Sequence, residues 1–321
     1  MVRYIINSAS HSVVVIILVS IVVFFIMRAL PGDPIAAISG ESVAGYDAEQ
    51  VEELKKSLGL DRPLVVQYAD WAGDALRGDF GQSARNHLPV ASEIQPRLVA
   101  SVQLAVVALV LGVVLGVSLG IVAALRQGSV IDMAVTLFSM SGIAIPSFVS
   151  SMILIWIFTV ELHWLPVGGF VNLWDDPIRA IESLAMPAAV LAMAIAAPIM
   201  RHTRSSLLEV LRLDYVRTAR AKGLKSSAVV INHALRNSLL PVVTVVGLRV
   251  AGLLEGSVIV ESMFSIPGIG RLAVGSISAR DYPMLQAIVV VFAVVTVVVN
   301  FLVDVLYTRL DPTISYVRSG R

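Results

Sequence analysis

Long apolar stretches alternate with polar ones along the whole chain, and the apolar stretches set the elements. At about 1.5 Å per helical residue, twenty apolar residues reach across roughly 30 Å of hydrocarbon. Stretches of that kind predict six spanning helices, at about 8–28, 98–125, 133–160, 184–200, 239–260 and 285–306. The first follows Arg3 and runs into RALPGDP rather than a small-x-small cleavage site, so it reads as a retained span and not a signal peptide. The pattern therefore predicts an all-α membrane protein, a single domain over 1–321, with both termini on one side.

Between the first two spans lies a polar insertion, 29–97. Asp47 with Gln50 three positions on forms a capping-box pattern, Val51, Leu54 and Leu58 share one face, and Gly59 is placed to stop that helix. Pro63 suits the first turn of a second helix carrying Val65, Tyr68, Trp71, Ala72 and Leu76. The insertion is expected to be helical, extracytoplasmic and close to the bilayer.

Three spans carry internal marks. Gly112, Gly116 and Gly120 fall four apart on one face of the second, a small-residue face that lets helices approach closely. Pro146 interrupts the third, followed by Ser147, Ser150 and Ser151; this is either a kink or the polar wall of a translocation path. Arg249 and Glu255 lie inside the fifth, where a charge costs at least about 2.5–3.5 kcal/mol. Six residues apart, they point to different faces of one helix. They either line a pathway or pair with another span or another subunit.

Charge then orients the picture. Only 15% of residues are charged, against about 25% in soluble domains, and mean hydropathy is +0.84. The net charge of +1 is uninformative, but its distribution is not. Arg3, Arg126, the tail residues Arg309, Arg318 and Arg321 and a basic stretch at 201–237 fall on one side, while the insertion holds eleven acids and six Lys/Arg. The positive-inside rule makes both termini cytosolic. No cysteine is present, and the chain has no G-x-x-x-x-G-K-[ST], H-E-x-x-H or G-x-S-x-G pattern, so no nucleotide, zinc or serine-hydrolase chemistry is encoded by motif. All five histidines lie outside span centres. A metal site is not expected, and no cofactor is expected to bind this chain.

The basic stretch 201–237 holds eight Lys/Arg against two acids. Within it, Leu213–Lys222 has helical character and Gly223 is a C-cap residue. Tyr215 and Ala219, with Val216 and Thr218 beside them, predict a small apolar ridge, and Arg212, Arg217, Arg220 and Lys222 flank it. A ridge with a charged rim fits a groove on a partner protein. A single tyrosine among the basic residues argues against nucleic acid.

DYVRTARAKGL followed by HALRNSLLP resembles the cytoplasmic EAA loop of ABC importer permeases, in the form of the dipeptide/oligopeptide/nickel family. LPGDP at 30–34, GDFGQS at 78–83 with PV at 89–90, IPSF at 145–148, and VESMFSIPGIGRL at 260–272 with RDYP at 280–283 resemble the same family, in order. Where the general pattern has acid-Ala-Ala, this chain has Arg217, Thr218 and Ala219, so only the second alanine and Gly223 are kept. The resemblance implies a bacterial inner-membrane permease forming half of a pathway with a sister permease. Two ABC ATPases holding ATP and Mg, an extracytoplasmic substrate-binding protein and membrane lipid complete the expected partners. It implies that Asp214, Tyr215, Arg217, Thr218, Ala219, Arg220, Ala221, Lys222 and Gly223 couple to an ATPase, and that His233, Leu235, Arg236 and Asn237 brace that helix. The expected cargo is a di- or oligopeptide, with nickel or glutathione-type import as the alternative inside the family. A secondary transporter or channel is the alternative of another class.

Overall fold

The computed structural model describes residues 2–29, 47–57 and 59–310; LPGDP, Leu58 and the basic tail from 311 lie outside them, as do the side chains of Arg3, Leu54, Glu255 and Arg309. The described chain is helical, and its only strand-like pairing is an isolated bridge between Gln82 and Pro89. Four helices are long and apolar enough to cross a membrane, and six if each of two bent pairs is counted as one. The chain clusters into two compact units, one of residues 102–266 with 299 onward, the other of 2–101 with 267–298.

In order, the helices are α1 (Val2–Ala29), α2 (Ala48–Ser57), α3 (Leu64–Leu76), α4 (Val90–Leu125), α5 (Val130–Ala144) and α6 (Ser147–Leu154). Then come α7 (Pro177–Val210), α8 (Asp214–Ala221), α9 (Ser226–Ala228), α10 (Arg236–Ala251), α11 (Leu253–Met263), α12 (Ile269–Ala279) and α13 (Tyr282–Leu310). Two π-helical segments, Ile155–Glu161 after α6 and Val229–Leu235 after α9, extend their neighbours.

The first unit is built around α7. Most of its apolar window is buried, whereas most residues in the windows of α1, α4 and α13 are not, as suits helices with a face toward lipid. Asp176 caps α7, accepting from the Ile178 and Arg179 amides, with Pro177 at the first position where its missing N–H costs nothing. Helices α5, α6, α10 and α11 pack against α7. The α4 glycines lie directly on it: a Cβ at Gly112 would sit 2.9 Å from Ile195 Cβ, at Gly116 2.7 Å from Ile199 Cβ, and at Gly120 2.7 Å from Thr203 Cβ. On α5, Gly142 meets Ala197 and the Met193 carbonyl in the same way, at 3.2 Å. The small-residue face predicted for the second span is thus a contact face, and Gly142 adds a second one.

Several predicted boundaries shift. The second and fourth spans belong to longer helices, beginning at Val90 and reaching Val210. The third is no simple kink, because the axes of Val130–Ala144 and Ser147–Glu161 differ by 112° about Pro146, so this pair is a broken span or a re-entrant turn. The fifth is not one continuous helix over 239–260. It bends by 50° near Pro241, where the proline lacks an amide to donate, and it breaks at Gly252 between α10 and α11. Arg249 and residue 255 therefore belong to two helices, and the expectation that they point to different faces of one helix does not apply.

The second unit joins two stretches far apart in sequence. Val90 and Ile94 of α4 form a core with Ile269 of α12 and Met284, Ala287 and Ile288 of α13. The loop after α3 closes on itself, the Val90 amide donating to Gly81 and the Ser83 amide to Leu88. Buried Asp281 then ties that loop to the start of α13. Its carboxylate accepts from the Ser83 hydroxyl, the Ala84 amide at 3.1 Å and the Met284 amide at 3.2 Å. The motifs GDFGQS and RDYP are the two halves of this joint. The capping box is also present, Asp47 accepting from the Gln50 amide (2.9 Å) and Gln50 from the Asp47 amide (3.1 Å), and Gly59 adopts φ +66°.

Gly116→Val should destabilise the protein by about 1–3 kcal/mol or more, since Ile199 leaves no room for side-chain atoms. Adding Ile199→Ala should recover part of that loss. Thermal unfolding of the purified variants in detergent measures both.

Candidate functional site

The basic stretch folds into a short helix seated on the π-helical segment Val229–Leu235 and the end of α7. Asp214 lies in the first turn of α8 and Arg220 in the last, each at the end its charge favours. The Thr218 hydroxyl donates back to the Asp214 carbonyl, and the exposed Arg217–Asp214 pair at 3.5 Å contributes little. Gly223 ends the helix with φ +79°, its amide on the Arg220 carbonyl, as its position predicted.

The apolar ridge, however, turns inward. Val216 and Ala219 are buried and pack with Val229, Val210 and Leu211 of the same chain. The expectation that Ala219 presents a ridge to a partner's groove is corrected on this point, because those small side chains are what seat α8 on the π-helical segment beneath it. The face left outward carries Asp214, Tyr215, Arg217, Thr218, Arg220, Ala221 and Lys222. Val210 and Leu211 also flank a second buried cluster of Ala124, Leu207 and Ala234, so packing is continuous from α8 to the ends of α7 and α4.

The predicted brace makes two of its contacts through Tyr215. The tyrosine hydroxyl donates to the His233 carbonyl at 3.3 Å and accepts from the Asn237 side chain at 3.0 Å. Arg236 is exposed, Leu235 half-buried, and Leu235 offers its carbonyl to Ser238. Val229 and Ala234, which carry the buried contact, have no polar signal and were not singled out by sequence.

Sequence reasoning also missed a two-pronged ion pair. Arg204 Nε lies 2.6 Å from Asp132 Oδ1 and its Nη2 2.8 Å from Oδ2. The same carboxylate accepts from the Gly128 amide, while the Ser129 hydroxyl caps α5 by accepting from the Asp132 amide. Asp132 is buried and Arg204 partly so. The turn between α4 and α5 is thereby clamped to α7 ten residues before α8 begins. The available signal was one acid in a short turn, which a count of basic residues passes over.

The pathway residues are scattered. Pro146 precedes the first turn of α6 and marks the 112° bend. Ser147 and Ser150 are half-buried. Ser151 is fully buried and its hydroxyl donates to the Ser147 carbonyl at 2.8 Å, so it serves the helix and lines no open wall of this chain. Arg249 is exposed in the last turn of α10. Among the described residues no group of three or more His, Asp or Glu side chains could hold a metal ion.

With this geometry in place, the sequence matches two family models, "Binding-protein-dependent transport system inner membrane component" over residues 116–316 and its N-terminal companion over 1–105. The chain belongs to this family of ABC importer permeases. It is 41% identical to the oligopeptide transport system permease protein AppB of Bacillus subtilis, covering 98% of this chain and all of that one. It is 40% identical, over 98% of its length and 99% of the relative, to a probable peptide ABC transporter permease protein of Sinorhizobium fredii. The same identity and coverage of this chain hold for the glutathione transport system permease protein GsiC of Escherichia coli, matched over its full length. Two solved structures share the fold: an amino acid ABC transporter (TM-score 0.52, 16% identity, 68% of this chain and 94% of that one) and the methionine transporter MetNI (0.52, 16%, 66% and 93%).

Permeases of this family are non-catalytic, multi-pass inner-membrane subunits that work with a substrate-binding protein, and ATP hydrolysis belongs to partner ATPases. The reading as a secondary transporter or channel falls with this match. Asp132→Asn should destabilise the permease by about 1.5–3 kcal/mol, the range for hydrogen bonds to charged groups. Exchanging the two residues should rescue it only partly, since arginine at 132 cannot accept from the Gly128 amide. Unfolding midpoints of the single and double variants provide the check.

Proposed function

We propose that this permease carries peptides, of which glutathione is one small example, into the bacterial cytosol. The observation that carries this is identity near 40% along virtually the whole chain to permeases named for peptide, oligopeptide and glutathione transport. The absence of cysteine and the position of all histidines outside span centres favour peptide over nickel.

In this reading the chain has six spans with both termini cytosolic, 29–97 is extracytoplasmic, and the whole chain acts as a single permease domain. It pairs with a sister permease in the lipid bilayer, and ATP and Mg are bound by the ATPases alone. The α8 helix is the coupling element. Its outward face meets an ATPase, and its buried face transmits displacement through Val229 and Ala234 to Leu207 of α7 and Ala124 of α4. This is rigid-body coupling through a docked element. Tyr215, held by His233 and Asn237, keeps α8 from pivoting on that seat. Arg217, Arg220 and Lys222 supply the charged contact, with Thr218 and Ala221 allowing close approach between them. Pro146, Ser147 and Ser150 border the pathway at the bend, and Arg249 faces the sister permease, where it is paired or lines the pore together with Glu255.

Two measurements test this. Vesicles holding the full transporter should take up labelled peptide only with ATP and the binding protein; ATP-independent uptake, or nickel uptake without peptide uptake, would sink the reading. Arg217→Glu with Arg220→Glu should abolish transport and release the ATPases on purification, with membrane insertion unchanged. Ala219→Asp should also abolish transport, but by forcing a carboxylate into the seat of α8, so limited proteolysis should cut near Gly223 in that variant alone. Uptake near wild type in the double arginine variant would reject α8 as the docking face.

A further inference from the structure

The α3 helix has three faces, and only two are accounted for. One face docks on α1. The Tyr68 hydroxyl shares a hydrogen bond of 2.9 Å with Ser20, and Phe24 lies within 5.5 Å of the Tyr68 ring centroid and 5.9 Å of Trp71. A second face is polar: Asp70 pairs with Arg62 at 3.1 Å and Asp74 with Arg77 at 3.3 Å, all exposed. The third, at helical spacing, is the stripe Val65, Ala69, Ala72 and Leu76. Val65 is 71% exposed and Leu76 90%. No residue of α3 is buried.

Depth decides what covers that stripe. Ser20 stands nine positions before the end of α1 at Ala29, about 13 Å at ~1.5 Å per residue, and Phe24 about 7 Å. If α1 crosses the hydrocarbon, a helix that reaches Ser20 and Phe24 with its own side chains cannot stand in bulk water. It lies at the boundary of headgroups and acyl chains, where amphipathic helices bury one face some 5–10 Å deep. The exposed apolar row of α1, including Leu18, Val22, Phe25 and Ile26, continues into the same environment. The Arg28 guanidinium, 4.9 Å from the Phe24 ring centre, marks the level at which charge is tolerated again.

We propose that α3 is a membrane-surface helix, with Val65 and Leu76 inserted among the lipid chains of the outer leaflet and Asp70 and Asp74 turned to water. This rests on the reading of α1 as a membrane span and assigns a lipid surface to part of the insertion. The bilayer then fixes α3 in height.

The chain has no cysteine, so single reporters can be placed without background. Val65→Cys, Leu76→Cys, Asp70→Cys and, as a control on α1, Leu18→Cys would be spin-labelled in the assembled transporter in lipid vesicles. Their collisions with oxygen and with a water-soluble nickel complex would then be compared. The expected result is oxygen dominating at 65, 76 and 18 and the nickel complex dominating at 70. Nickel access at 65 and 76 with oxygen at 18 overturns the α3 proposal and leaves α1 a span. Nickel access at 18 overturns both. Exclusion of both reagents at 65 and 76 means a protein subunit covers the stripe, which also overturns it.

Discussion

The close approach of α4 and α5 to α7 is the contact on which the rest of this permease depends. In water, helices associate because apolar faces leave the solvent; in lipid that force is absent, and contact area and hydrogen bonding must do the work. Three glycines on α4 and one on α5 let neighbouring chains come within van der Waals reach of the α7 backbone. A helix packed on several sides in this way is a stiff rod, and its far end leads, after a short turn, into α8.

The end of α7 shows how the interior is tied to the polar layer. Asp132 receives both prongs of Arg204 and an amide, which suits a buried carboxylate: both oxygens are engaged and the charge is balanced. Beside it, α8 is held by small buried side chains and one tyrosine hydroxyl. The seat is light, and the outward face of α8 keeps its charges free of strong internal partners.

Features repeated at a helical period were legible in the sequence. The glycine face, the capping box at Asp47 and Gln50 and the glycine stop at Gly223 all reappear, and the apolar stretches reappear as helices, four of them long enough to span and two pairs bent. What was not legible depends on which side of a short helix is covered. Val216 and Ala219 read as an outward ridge because a window of ten residues contains no information about Val229. Pro146 signalled a break but not a turn of 112°, since proline removes an amide without choosing an angle. Asp132 was passed over because a lone acid among arginines is ordinary until its partner, seventy-two positions on, is known to face it.

The joint at Asp281 has a consequence for synthesis. Ser83 and the Ala84 amide find their acceptor 198 and 197 positions later in the chain. The ribosome must make nearly the whole permease before that acceptor exists. During that interval the loop after α3 has its turn but not its partner, so this part of the fold can close only after α13 has begun to form. A chain truncated before residue 281 would leave the Ser83 hydroxyl and the Ala84 amide without that acceptor.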